Sequence, residues 1–341
     1  MGLLTPMLRR STFRRAARAA GIATMLPASL TAAPALETDQ YFAWTKPLED
    51  ASAVVNAKVN KELLIAIEEA SRSRHGASCH DVSRAAMQRF RFFIFQDIQL
   101  WVDNAPFVDR VPGSPEEELA YRRESIYPFR GLLDVGISIP PSPTIEIDGI
   151  RLGTDKLSHF FSNGWRYYRR YLRHRQRGAS QTEAERRATR PGVWYEKNIL
   201  GYALSGVFSI GDMEANHEGM LFFRSLCEGD AARLVRDEGR WRLARPFDVR
   251  EHVSPEWDES YRVSVYSPGR WRRVKKLLTR YCPLLDHPAV VARRAEYASR
   301  DRVTPTDRLV DELVREGRLA DPSGFTLEAV CAAGQTDVTR R

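Results

Sequence analysis

Apolar residues recur at three- and four-residue steps from Asp50 to Ser71, where Val54, Val55, Val59, Leu63, Leu64 and Ile67 predict an amphipathic helix. A second helix is expected from an N-cap at Asp81 to about Asp103, with Phe90, Phe93, Ile94, Ile98 and Trp101 facing the core and Pro106 and Pro112 ending it. Glu116 to Arg123 reads as a further short helix. The period then changes. Ile139-Pro140-Pro141-Ser142-Pro143 cannot be helical, because proline removes donors and clashes with the preceding turn. Thr144 to Leu152 alternates around Asp148-Gly149, the mark of a small β-hairpin.

Three helices are expected next. One runs from Thr154 to about Arg173. Another has Pro191 in its first turn, carries Glu196, Leu200 and Ala203, and stops near Ser205-Gly206. The third opens on a capping-box-like Ser209 and Asp212 and runs through Phe223 to Cys227. Residues 239–263 look extended and irregular, and helices are expected again over Pro268–Tyr281, Pro288–Arg300 and Thr306–Glu316. No repeat or low-complexity linker interrupts the chain. The pattern predicts a mainly α, multi-helix globular domain over 36–335, with a small β-hairpin, an irregular C-terminal part and a disordered tail at 336–341.

The N-terminus changes how the charge is read. Arg9, Arg10, Arg14, Arg15 and Arg18 precede a charge-free stretch from Ala19 to Leu36, and Ala33-Pro34-Ala35 fits a signal-peptidase site, so residues 1–35 read as a cleaved signal peptide. Arg9-Arg10-Ser11-Thr12-Phe13 approximates a twin-arginine signal with Phe13 one place too far along, which leaves the export route open. That segment holds five of the 52 Lys+Arg and none of the 44 Asp+Glu, so the net +8 falls to +3. A nucleic-acid role therefore cannot rest on charge, and export argues against it. No stretch of the mature chain reaches the roughly eighteen apolar residues of a membrane span. Cys79, Cys227, Cys282 and Cys331 include no CxxC pair, and in an oxidising periplasm they read as two disulfides. Of the three connectivities, Cys227–Cys282 with Cys79–Cys331 is the first expectation.

Candidate chemistry is concentrated in two apolar stretches. Asp155-Lys156-Leu157-Ser158-His159-Phe160 sets Asp155 and His159 one turn apart, and Ser209-Ile210-Gly211-Asp212-Met213-Glu214-Ala215-Asn216 does the same for Asp212 and Asn216. Glu196 comes from the helix between. Packed together, these would form either a hydrogen-bonded acid/base cluster or a divalent metal site with His159, Glu196 and Asp212 as ligands. In a catalytic reading His159 is the base, Asp155 its orienter, and Glu196 and Asp212 the working carboxylates. Lys156, Asn216 and Arg166 would then contact an anionic substrate. In the architectural reading Asp155 and Asp212 are first-turn acids and His159 a core imidazole. His217 and Glu218 point off the Asp212 face and read as peripheral. Trp257-Asp258-Glu259-Ser260 reads as packing plus surface charge. HExxH, GxSxG and GxxxxGK are all absent.

Asp-Lys-x-x-His-Phe, a Glu, then Ser-x-x-Asp-x-x-Ala-Asn-x-x-Gly resembles the pattern of VanZ-like proteins and of small bacterial envelope lipoproteins. More closely, Asp39 to Cys282 resembles an uncharacterised family of exported proteobacterial proteins. The matching positions include Asp155, Lys156, His159, Phe160, Gly164, Tyr168, Glu196, Gly201, Ser209, Asp212, Ala215, Asn216 and Gly219. The resemblance implies an envelope location and no particular reaction. VanZ-like proteins carry the pattern on membrane helices, whereas here Arg166, Arg169, Arg170 and Arg173 stud the corresponding helix. Their interleaving with Trp165, Tyr167, Tyr168 and Tyr171 points to a solvated face or to a surface for anionic lipid or another envelope polyanion. The leading expectation is an exported envelope protein with a polar ligand-binding cluster; the alternative is a metal-assisted or acid/base hydrolase of an envelope substrate.

Overall fold

Two helices cross at a pair of glycines, and the surroundings of that crossing hold the polar groups of the motif. The computed structural model describes residues 37–72, 77–92, 95–127, 141–198 and 206–338, with backbone alone at 91–92, 95–97, 195–198 and 334–338. The described residues belong to one compact unit. The expected signal segment 1–35, and the expected roles of Phe93, Ile94, Ile139, Leu200 and Ala203, lie outside the described residues.

Helix α1 (Ser52–Ser71) buries Val55, Val59, Leu63, Ala66 and Ile67 along one stripe, as its spacing requires. Helix α2 (Cys79–Arg89) starts two residues before the expected cap: Ser78 is the N-cap and Asp81 its capping-box partner. A short ladder, β1 (Arg91–Phe92) with β2 (Phe95–Gln96), separates α2 from α3 (Asp97–Asn104), so the single helix expected over 81–103 is two. The Phe-rich run at the break has the β preference of aromatic residues. Helix α4 (Pro115–Glu124) is capped by Ser114.

Strands β3 (Thr144–Ile147) and β4 (Ile150–Gly153) form the expected hairpin, with Thr144 opposite Gly153. Its turn residues Asp148 and Gly149 both have positive φ, 52° and 76°, which is the backbone a two-residue type I′ turn demands. The chain then enters α5 (Asp155–Ser158), a π-helical turn (His159–Asn163) and α6 (Gly164–Gln176) without a break. Helix α7 (Gln181–Asn198) begins ten residues before the expected start and carries Pro191 in its interior. Strand β5 (Val207–Phe208) precedes α8 (Ile210–Cys227), and a second hairpin, β6 (Leu234–Asp237) with β7 (Arg240–Leu243), straddles the start of the region expected to be irregular. Strand β8 (Val265–Tyr266) pairs with β5. In the C-terminal part α9 (Pro268–Leu278), α10 (Pro288–Arg300) and α11 (Pro305–Arg315) stand where helices were expected, and α12 (Leu327–Val338) is an addition that passes the start of the expected tail. The fold is mainly α, and its sheets among the described residues are small antiparallel pairs. No helix among them is long and apolar enough to cross a membrane.

Helix α8 packs along α6 and the π turn, where Phe160, Phe161, Phe222, Phe247 and Trp257 build an aromatic core. Gly164 and Gly219 let the backbones meet: a Cβ on Gly164 would stand 2.6 Å from Cα of Gly219, and one on Gly219 would run into the Phe160 carbonyl oxygen. Backbone cannot swing aside as a side-chain tip can. Gly219→Ala is therefore expected to cost about 1–3 kcal/mol of unfolding free energy, the usual range for overpacking. A denaturant melt of the variant reads this directly, and an unchanged midpoint would show that the crossing has slack.

The cysteine pairing differs from the first expectation. Cys79 bonds Cys227 and Cys282 bonds Cys331, each with Cα atoms 5.7 Å apart. The start of α2 lies against the end of α8, which brings Cys79 to Cys227. Cys331 lies on α12, a helix absent from the sequence reading, which packs on the 3-10 segment Thr279–Leu284 that holds Cys282.

Candidate functional site

The site is built from the first turn of α8 outward. Ser209, in extended backbone, accepts a hydrogen bond from Asp212 N at 2.9 Å and so caps the helix, while its hydroxyl donates to Glu259 Oε1 at 2.5 Å. The cap fixes Asp212 beside α5. From there Lys156 reaches in, with Nζ 2.8 Å from Asp155 Oδ2, 2.7 Å from Glu259 Oε1 and 2.7 Å from Asp212 Oδ1. The first two are hydrogen bonds; the Asp212 contact is an ion pair off hydrogen-bond angle. Thr38 donates to the other oxygen of Asp155 at 2.7 Å. The Lys156 side chain is 0% exposed, so its ammonium has carboxylates in place of water.

Charge balance in this sealed centre decides the protonation of its members. Burial works against the Lys156 ammonium, but Asp155, Asp212 and Glu259 together hold its pKa well above the usual lysine value. Burial works against the Asp155 carboxylate as well; the adjacent Lys156 outweighs it and the carboxyl is held below its ordinary range. Glu259 goes the other way. Burial, reinforced by Asp212 and Asp155 and only partly opposed by Lys156, pushes its carboxyl up to about 7. One ammonium cannot neutralise three carboxylates, and Glu259 is the member whose proton redresses the balance near neutrality.

The edge of the cluster is His159, the first residue of the π turn and 17% exposed. Its Nε2 lies 3.3 Å from Asp212 Oδ2. Its Nδ1 lies 3.1 Å from Asn216 Oδ1 and 3.2 Å from Asn163 Nδ2. With a proton on Nδ1 the ring donates to Asn216, and without one it accepts from Asn163, so the two amides serve alternative forms of the ring. Asn163 Oδ1 accepts in turn from Arg166 at 3.1 Å. A chain of polar contacts thus leads from Lys156 through Asp212, His159 and Asn163 to an exposed arginine.

Four of the residues expected to converge do so, Asp155, His159, Asp212 and Asn216, whereas Lys156, expected to contact an anionic substrate, is sealed among three carboxylates instead. Their roles are redistributed. Asp212 takes the place on His159 expected of Asp155, whose oxygens go to Lys156 and Thr38. Glu196 stands near the end of α7, and its side chain lies outside the described residues. Arg166 lies at the rim. In the metal set expected from His159, Glu196 and Asp212, an ion on Asp212 would have to share that carboxylate with an ammonium 2.7 Å away.

Two expectations are overturned. Trp257-Asp258-Glu259-Ser260 is not surface charge: all four residues are buried, Asp258 accepts from Ser260 and Tyr297, and Glu259 is a central partner of Lys156. Glu259 joins from 103 residues beyond Lys156, and no spacing rule reaches that far. His217 and Glu218 are not peripheral either. They lie off the Asp212 face as their spacing implies, yet they are buried, because α8 is enclosed on all sides from Ile210 to Met220. The aromatic–arginine run also resolves: Tyr167, Tyr168 and Tyr171 are buried, while Arg166, Arg169 and Arg173 face out at helical spacing. The tyrosine rings are therefore not free to stack on bases.

Compared with protein-family models, curated proteins and solved structures, the chain matches none.

Proposed function

We propose that this is an exported protein of the bacterial cell envelope that binds an anionic, phosphate-bearing envelope component along the arginine face of α6, with the Lys156 cluster as the hub that holds its central helices. The single observation behind this reading is the distribution of cations. Lys156 is sealed among Asp155, Asp212 and Glu259, and Arg166, Arg169 and Arg173 project from one exposed face. Export draws support from the arginine-then-alanine N-terminus, from two disulfides of the kind oxidising compartments permit, and from the resemblance to envelope proteins. The competing hydrolase reading draws on the His159–Asp212 pair. A general base needs a ring nitrogen free for its substrate, and both nitrogens of His159 are already engaged.

Co-sedimentation with phosphatidylglycerol vesicles tests the reading, with phosphatidylcholine vesicles as the neutral arm and soluble polyphosphate as the arm that separates a lipid from a free polyanion. Each arginine near an anionic surface contributes about 1 kcal/mol, so Arg166→Ala/Arg169→Ala/Arg173→Ala should weaken binding about 100-fold, and added salt should do likewise. Equal binding to both lipids, or no loss in the triple variant, would contradict it.

A further inference from the structure

The enclosed helix α8 carries a second polar face that the Lys156 cluster does not use. Glu214, His217 and Glu218 stand at i, i+3 and i+4, on the side of the helix away from Asp212. All three are more than nine-tenths buried. One ligand atom from each lies within 4.8 Å of the other two. Two donors at about 2.1 Å from a shared ion are separated by up to about 4.2 Å, so small rotamer adjustments close this triangle on a common centre.

The groups have unused valence. Among the described residues neither oxygen of Glu214 has a hydrogen bond of proper geometry, although the Thr304 and Thr306 hydroxyls lie near it, and His217 Nδ1 has no partner. Glu218 is held by His252, whose Nδ1 lies 3.2 Å from Oε2, and Arg302 approaches the other oxygen at 3.7 Å. Glu256 is close enough to add its negative charge to Glu214, and its own oxygens also lack hydrogen bonds among the described residues. Three carboxyl groups are thus buried close together, and the arginine nearest Glu218, Arg302, is itself 62% exposed. Unpaired buried carboxylates cost several kcal/mol each, and such a group is relieved by protons or by a cation.

We propose that Glu214, His217 and Glu218 form a binding site for a divalent first-row transition-metal ion, with His252 as the positioning residue that orients Glu218. An imidazole nitrogen with carboxylate oxygens suits zinc, manganese or iron, whereas calcium and magnesium prefer oxygen alone. Ligating carboxylates are themselves held by hydrogen bonds from outer groups, and His252 stands in that place beside Glu218. The site is separate from the Lys156 cluster and from the arginine face, so its failure leaves the envelope-binding reading standing, and the reverse holds too.

The experiment uses the full mature chain, stripped with chelator and dialysed, titrated with zinc chloride by calorimetry and followed by thermal melting. Manganese and calcium chlorides are run in parallel. The expected result is one equivalent of zinc bound and a raised melting temperature, with calcium giving a clearly smaller rise. Glu214→Gln and His217→Gln should each weaken zinc binding at least tenfold. If either buried variant fails to fold, Arg302→Ala decides: loss of a competing exposed cation should tighten zinc binding severalfold. Absence of zinc binding to the wild type, undiminished binding in the Glu214 and His217 variants, unchanged affinity in Arg302→Ala, or a calcium response equal to that of zinc would each overturn the proposal.

Discussion

Lys156→Met should lower the unfolding free energy by about 3–5 kcal/mol at neutral pH, the range for removing one partner of a buried ion pair. Methionine fills nearly the same volume, so the loss is electrostatic rather than a cavity. The variant leaves Asp155, Asp212 and Glu259 facing one another with no ammonium among them. Asp155, which Lys156 now holds below its ordinary range against burial, would swing upward, and Glu259, already raised by burial, would rise further. A carboxyl raised in the folded state contributes stability that is complete below its unfolded pKa and lost as pH rises through the folded one. The deficit of Lys156→Met should accordingly be largest above about pH 7 and shrink as pH falls toward about 4, near the unfolded carboxylate values. Urea melts of both proteins across that range check it; a deficit that stays constant with pH would mean that packing, not charge, is what Lys156 supplies.

Removing Cys79–Cys227 should have the other large effect. The bond spans 148 residues, and the chain-entropy relation assigns a loop of that length about 5 kcal/mol, against about 4 kcal/mol for Cys282–Cys331 across 49 residues. Double serine replacements of each pair should therefore both destabilise, the Cys79/Cys227 pair by roughly 1 kcal/mol more. That bond also joins the start of α2 to the far end of the helix bearing Asp212, so its loss should reach the site. Peptide mapping without reductant checks the connectivity itself, and a Cys227–Cys282 peptide would refute it.

Elements whose signals are local could be read from the chain. The stripe of α1, the Asp148-Gly149 turn and the Ser209 cap each act within a few residues, and each stands where the sequence put it. The convergence of Asp155, His159, Asp212 and Asn216 was legible for a related reason: polar groups inside apolar helices have to meet one another. What remained hidden depends on distant partners. Glu259 looked like solvent charge because nothing near Trp257 announces Lys156. Pro191 marks a helix start by its own preference, yet Ser180 begins α7 earlier, accepting from Glu183 N at 3.2 Å, and tertiary packing tolerates the proline. The π turn at His159 has no sequence mark at all. It occurs where α8 presses Gly219 onto the Phe160 carbonyl, a contact between elements sixty residues apart.

The most direct measurement is the unfolding free energy of Lys156→Met beside that of Lys156→Met/Asp212→Asn/Glu259→Gln. If a sealed charge balance holds the central helices, neutralising two of the stranded carboxylates should restore most of the stability that the single change removes. A triple variant no more stable than Lys156→Met would show that the balance is not what binds these helices together.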